Sequence, residues 1–484
     1  MTRPSLVVHG HFYQPPRLDP FTGTMPLDPT AAPAHDWNER ISADCYRPNA
    51  ELGNLGAISW DLGPTLAGWL EAGDPVAYQG FVAGDDGANG MAQPFHHAIL
   101  PLASAADRRT EVRWGLRDFE LRFGRPATGM WLPETAVDLE TLRLLADEGV
   151  AYTILAPWQV DGGPALDSER PVRIELGDGR SMIAVLFDAG LSTAASFDAT
   201  ATVDADAFVR ERVMPRFVSG NDETGAGLVV IATDGELYGH HQPHRERFLA
   251  RLVGRTAPAD RPYATPGLAD AIAIAEAVGL PTVRLRERTS WSCHHGIARW
   301  SGPCGCVADG EWKAPLRAAL DRLAGGIDAA TEQVAATLSP DLDPWAARDA
   351  YVDVVAGRQS GAAFAAERLG RIVDASTTAR LGHLMEAQRW RLAMFASCAW
   401  FWETPDRIET AGALRAAVSA ARSTDALAGT TLERRLLADL ALIRSVDGSG
   451  SEVDGAGLIG IALKAVGAAH PVENPSARGL RATG

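Results

Sequence analysis

Over its first three hundred residues the chain alternates short β-branched runs with segments of helical period. Six runs have the length and residue types of buried strands: Leu6–Val8, Val76–Phe81, Ala127–Trp131, Ala151–Leu155, Met182–Phe187 and Gly227–Ala232. Between and after them, apolar residues recur at helical spacing over Asp107–Phe123, Val137–Gly149, Asp204–Phe217, Pro243–Leu252 and Gly267–Val278. This alternation predicts βα units around a parallel sheet. One interruption is expected, because Arg173–Leu176 and Met182–Leu186 flank Gly177-Asp178-Gly179, a sequence suited to an antiparallel hairpin. From about Trp312 onward the β-rich runs stop. Ala, Leu and Arg repeat at helical spacing over Lys313–Leu338, Asp343–Leu369, Ala379–Trp402, Thr410–Ser423 and Thr431–Ser445. Ser445–Gly457 is expected to be a loop, and the end after Pro471 to fray. The expected organisation is a catalytic α/β region over 1–310, a helical domain over 311–445 and a loop-rich tail over 446–484.

Composition narrows the partners. With 484 residues, 46% of them hydrophobic and 22% charged, the chain can bury a large core and is neither disordered nor fibrous. Its 45 Lys and Arg against 61 Asp and Glu give a net charge of −16 with no basic stripe, which argues against nucleic acid or an anionic membrane as partner. No apolar run is long enough for a signal peptide or a membrane span, so the chain reads as soluble and cytoplasmic. Five cysteines, odd in number and bunched, fit reduced thiols better than a disulfide framework.

Three predicted strands run into reactive polar residues: Leu6-Val-Val-His9-Gly-His11, Thr128-Gly-Met-Trp131-Leu-Pro-Glu134, and Leu228-Val-Val-Ile-Ala-Thr-Asp234-Gly-Glu236. In a parallel α/β fold the carboxyl ends of the strands open on one face, so residues a hundred positions apart become neighbours there. Any one of these acids taken alone is explained as a helix N-cap. Two histidines, a Glu and an Asp on three separate strand ends point instead to a site. Two carboxylates across a cleft are what glycoside hydrolysis needs. Within this segment no Gly-x-Ser-x-Gly elbow, no Walker loop and no Gly-x-Gly-x-x-Gly after the first strand competes with them. Trp131 and the pair Trp291 and Trp300 offer apolar faces for sugar rings, although tryptophan is more often core.

His9-Gly-His11-Phe-Tyr-Gln-Pro-Pro, Trp131-Leu-Pro-Glu134 and Asp234-Gly-Glu-Leu-Tyr-Gly-His240 resemble, in order and spacing, the motifs of glycoside hydrolase family 57. That family contains α-amylases, 4-α-glucanotransferases and branching enzymes. The resemblance implies an incomplete (β/α)7 barrel followed by an α-helical domain, an α-glucan or maltooligosaccharide substrate, a retaining mechanism and no cofactor or metal in the chemistry. By motif, Glu134 takes the nucleophile position and Asp234 the general acid/base position. His9 and His11 match the pair lining the sugar subsite, and His240 and Trp131 flank the carboxylates. Retention calls for carboxyl groups about 5–5.5 Å apart, with Glu134 ionised by nearby donors and Asp234 kept protonated by burial.

Two segments stay open. Tyr78–Leu102 is glycine-rich, and either Gln93 and His97 reach sugar hydroxyls or it is a flexible loop whose His96-His97 pair caps the following helix. Trp291-Ser-Cys293-His294-His295-Gly-Ile-Ala-Arg299-Trp300-Ser-Gly-Pro-Cys304-Gly-Cys306 holds three thiols and two imidazoles but lacks a Cys-x2-4-Cys knuckle. It is therefore read as a substrate rim in which Arg299, His294 or His295 contacts sugar hydroxyls and Trp291 or Trp300 stacks on a ring, and no metal is expected. The aromatic residues of the helical half read as core. The main alternative is a metal-dependent carbohydrate hydrolase, deacetylase-like or zinc mannosidase-like, in which His9, His11 and Asp234 hold zinc. A non-catalytic glucan-binding protein is the third reading. Hydrolysis, transfer and branching are not separated, because they differ only in how well water is kept from a shared intermediate.

Overall fold

The computed structural model describes residues 3–163, 171–219, 227–446 and 450–463. The expected frayed end after Pro471 lies outside the described residues. Contacts divide the chain into two units. One comprises Met1–Gln14, Asp28–Pro94 and Phe119–Ser292, and the other Pro15–Leu27, Phe95–Asp118 and Cys293–Gly484.

In the first unit, β1 (Ser5–Phe12) lies between β2 (Ser59–Leu62) and β7 (Leu228–Asp234), and β3 (Gly90–Met91) flanks β2, all parallel. All eight residues of β1 are buried, as expected of a parallel strand covered on both faces. Bridges Ala92↔Met130 and Gly129↔Tyr152 carry the order on to β4 (Tyr152–Leu155), which pairs in parallel with β6 (Ser181–Leu186). The seven positions β7-β1-β2-β3-(129–130)-β4-β6 make the (β/α)7 arrangement. Its opening has a visible cause, because the other edge of β6 is occupied by the antiparallel strand β5 (Val172–Glu175) of the predicted hairpin. β6 and β7 share no paired register among the described residues, and the Asp188 amide spans the gap to the Val230 carbonyl at 2.8 Å. A short β8 (Thr282–Val283) extends β5 outward. Val7, Met91, Trp131, Ile154, Val185 and Val230 belong to one buried cluster.

Two strand expectations need correction, and one strand was not expected. Val76–Phe81 is not a strand but part of the helix Pro75–Gly84. Asp74 caps this helix by accepting from Ala77 N, proline occupies its first turn, and Ala77, Tyr78 and Phe81 bury one face. The true second strand, Ser59-Trp-Asp-Leu62, is too short and too mixed to stand out by pattern. Ala127–Trp131 contributes only the two single bridges at Gly129 and Met130.

The second unit is mainly helical, with long helices at Lys313–Leu338, Ala375–Ala393 and Ile408–Ala428. A small hairpin, β9 (Arg444–Val446) and β10 (Glu452–Asp454), stands where a plain loop was expected. Phe95, Trp114, Tyr351, Phe364, Leu384 and Met385 share its core. Asp107 is clamped there by Arg348 at 2.9 Å and Arg391 at 2.6 Å, so a buried charge is paired on two sides. No helix among the described residues is long and apolar enough to cross a membrane.

Candidate active site

Strand register does the first part of the assembly. His11 is the Cα partner of Asp61 on β2 and of Asp234 on β7. Neighbouring strands run about 4.8 Å apart and registered residues face the same side, so Asp61, His11 and Asp234 form one row across the carboxyl ends. Val7, His9 and His11 alternate onto that same face, which changes from apolar to polar toward the strand end. Gly235 permits the close approach of β1 and β7, since a Cβ there would lie 2.3 Å from the Phe12 ring.

Asp61 is the organising charge of this row, and pattern reading missed it. Fully buried, it accepts from His9 Nε2 at 3.0 Å, His11 Nδ1 at 2.8 Å and Gln93 Nε2 at 2.6 Å. The two histidines respond differently. Burial lowers the His9 pKa against the pull of Asp61, and His11's charge lowers it further, so His9 stays neutral. Burial works against the His11 cation too, but Asp61, with help from Asp234 and Glu236, carries its pKa up to about 9. His11 is therefore a cation at neutral pH, set among carboxylates.

Glu134 reaches this neighbourhood from the turn after Met130. Its backbone is left-handed at φ 57°, and Thr135 follows at φ 48°. For residues bearing a Cβ such a conformation costs about 1–3 kcal/mol and persists only when the surroundings impose it. Here the imposition is visible. Gln159 accepts from the Thr135 hydroxyl at 2.8 Å and donates to the Thr135 carbonyl at 2.8 Å, while the Trp291 amide donates to the Glu134 carbonyl at 3.1 Å. On the side chain, Ser292 Oγ donates to Oε2 at 2.7 Å and Trp291 Nε1 at 3.3 Å. Burial pushes the Glu134 carboxyl above its ordinary value and the charge of Asp234 adds to this, whereas Ser292, His11 and Trp291 oppose it. Asp234 is exposed at the tip of β7, not buried as the acid role was expected to require. The buried acid of that strand end is Glu236, two residues on.

Glu236 accepts from the Tyr46 hydroxyl at 2.6 Å, and Gln14 Nε2 stands 3.5 Å away. Burial raises its pKa to about 7, with the charge of Asp234 adding and the Tyr46 hydrogen bond and His11 opposing. A carboxyl raised from 4.5 to about 7 favours folding most when it is protonated, so stability should fall as pH rises through that window. Glu236→Gln is expected to exceed the parent in stability by about 1–3 kcal/mol at pH 8 and to match it near pH 5. Urea melts at the two pH values check this, and an equal difference at both would contradict it.

The other expected residues divide. His240 Nδ1 is 3.0 Å from Asp44 Oδ2, with its ring edge-on to Trp37. Trp291 is partly buried and edge-on to Trp131. Trp131 itself is not a platform for a sugar: it is fully buried, with His9 and His11 stacked on it at 5.0 and 4.9 Å. Its ring is given to the imidazoles. Gln93 is spent on Asp61. His97 lies in the second unit, buried, its Nδ1 2.7 Å from Ser397 Oγ. Arg299 also lies in the second unit, where it donates to the Phe401 carbonyl at 3.0 Å and covers the Phe401 ring. Trp300, offered above as a sugar face, is fully buried. The alternative zinc set of His9, His11 and Asp234 is not gathered around a point. His9 uses its two nitrogens on Asp61 and Ser59, and among the described residues the strand ends contain no group with metal-holding geometry.

Residues 88–258 match glycosyl hydrolase family 57, a segment that contains Glu134 and Asp234, and residues 309–453 match a domain of unknown function (DUF3536). No curated protein matches the chain. Similar solved structures include an exo-type maltose-forming amylase from Pyrococcus sp. ST04, at 14% identity and TM-score 0.70 over 90% of this chain and 82% of that one. A family 57 branching enzyme from Pyrococcus horikoshii matches at 16% identity and TM-score 0.59, over 90% and 94% of the two chains. An α-amylase from Thermotoga maritima matches at 13% identity and TM-score 0.54, over 90% and 96%. At such identities the likeness is one of fold. Residues 88–258 are thus similar to glycosyl hydrolase family 57, and the chain shares the fold of a solved branching enzyme of that type.

Proposed function

We propose that the protein is a retaining glycoside hydrolase or transglycosylase acting on α-1,4-linked glucans, with Glu134 as nucleophile and Asp234 as general acid/base. The observation that carries this reading is the shared neighbourhood of the two acids. Each comes from a different strand end, the charges of Asp234 and His11 both act on Glu134, and His11 is the registered neighbour of Asp234. In the first step the Glu134 carboxylate attacks the anomeric carbon while Asp234 gives its proton to the departing glycosidic oxygen. Water or a sugar hydroxyl then attacks the glycosyl-enzyme, returning its proton to Asp234 and releasing Glu134. Ser292, Trp291 and His11 offset the cost of a partly buried carboxylate before attack. Asp234, open at the strand tip, receives its desolvation from the bound sugar itself. We place this work in the cytoplasm, consistent with five cysteines outside any disulfide.

Proton NMR of a maltooligosaccharide digest should show the α anomer first, and initial release of β would overturn the mechanism. Amylose and maltoheptaose digests separate the outcomes that share the intermediate: shorter chains alone mean hydrolysis, longer ones transfer, and new α-1,6 signals branching.

A further inference from the structure

The segment after Ser292 lies between the two family matches and is assigned by neither. Within the second unit it closes on itself. The donor atoms of Cys293, His295, Cys304 and Cys306 all lie within 4.8 Å of one another. Cys293 Sγ stands 4.0 Å from Cys304 Sγ and 3.6 Å from Cys306 Sγ, and His295 Nδ1 stands 3.3 Å from Cys306 Sγ. A tetrahedral zinc with bonds of about 2.0–2.3 Å sets its ligands about 3.3–3.8 Å apart, which the 3.3 and 3.6 Å separations meet and the 4.0 Å one slightly exceeds. A disulfide would need about 2.05 Å.

We propose that Cys293, His295, Cys304 and Cys306 form a structural zinc site of the Cys3His type. The sequence spacing spoke against a metal because ten residues separate Cys293 from Cys304. The fold removes that objection by turning the chain back through Gly296, at φ 73°, and the short helix Ala298–Trp300. Gly305, between the last two cysteines, has no side chain where a Cβ would sit 3.2 Å from the His295 ring. Backbone amides of His295 and Arg299 bond to the Cys293 sulfur, and that of His294 to Cys306, the contacts a thiolate needs when it gives charge to a metal.

A second, independent observation concerns charge. Three thiolates, a neutral imidazole and Zn²⁺ sum to −1. Lys313 is fully buried and its Nζ has no hydrogen-bond partner among the described residues, an arrangement that is costly unless a negative charge lies close. Burial works hardest against its charge and Arg299 adds to this, while the three cysteines oppose them and the centre of the Trp312 ring lies 5.6 Å from Nζ. A zinc-thiolate centre supplies the anion that this buried ammonium otherwise lacks. His295 is exposed, so a chelator can reach the site from solvent.

The test is metal analysis of the full-length protein purified without chelator and dialysed. About one zinc per chain is expected, falling at least about tenfold in Cys304→Ser and Cys306→Ser while Cys398→Ser retains it. Should those variants fail to fold, the unmutated protein stripped of metal and reloaded with Co²⁺ gives a second readout. It should show the intense visible absorption of a tetrahedral centre with a thiolate-to-cobalt charge-transfer band. Unmutated protein without zinc after dialysis and without that cobalt spectrum, or an intact mass showing a disulfide among these cysteines, would overturn the proposal.

Discussion

Glu134→Gly is expected to lower turnover of an α-1,4-glucan by about 10⁴–10⁶-fold, as removal of a covalent nucleophile does. Azide should then restore turnover of α-glucosyl fluoride and give β-glucosyl azide. Fluoride needs no acid to depart, so the test isolates the nucleophile. The C–F bond breaks as azide attacks from the face the glutamate occupied, with one inversion. The complementary change, Asp234→Gly, leaves Glu134 able to form the glycosyl-enzyme, and azide opens it from the other face. The product is then α-glucosyl azide, with net retention. Glycine suits position 134 because the backbone there is left-handed at φ 57°, so the variant loses the carboxyl while relieving strain. Folding should therefore survive, and circular dichroism of the variant can confirm that lost turnover is chemical. Identical azide anomers from both variants would remove the assigned roles.

The second large effect is expected at Asp61. Asn in its place keeps the shape but offers an amide where one of His9, His11 or Gln93 now donates, and it withdraws the charge that holds His11 protonated. Breaking a buried ion pair on one side costs about 3–5 kcal/mol. The pH dependence of that loss is the sharper test. His11 titrates at about 9 in the folded protein against an ordinary 6.5, so its share of stability is fully present below 6.5 and disappears as pH rises through 9. A shift of that size corresponds to about 3 kcal/mol. The stability gap between parent and Asp61→Asn should thus be widest near pH 6 and narrow by about that amount near pH 9.5, measured by denaturant melts. Activity should fall as well, by about 10²-fold, since the cation balancing Glu134 and Asp234 is lost. A pH-independent gap would mean that Asp61 acts only as a hydrogen-bond acceptor.

How much of this could be read before folding depends on the range of the interaction. Helices at Lys313–Leu338 and Leu268–Val278 and the hairpin around Gly177-Asp178-Gly179 follow from local period and turn chemistry. The acids were visible because each follows a recognisable β-branched run or a compact motif. Val76–Phe81 misled because its valine and two aromatic residues outweighed the Asp74 cap and the proline after it, signals present in the sequence but not given their weight.

What the sequence by itself determined was the βα alternation, the helical second half and the identity of the reactive groups, because each is written in neighbours a few residues apart. Tertiary structure decided which groups meet. Asp61 became the charge beneath His9 and His11 only through the register of β2 against β1, and Trp131 became a buried support because those imidazoles stack on it. Phe95–Asp118, with His97, joined the helical unit, and a ten-residue interval folded into a four-donor cluster. Strand register, ring stacking and chain reversal are contacts between distant residues, and spacing along a chain does not encode distance through space.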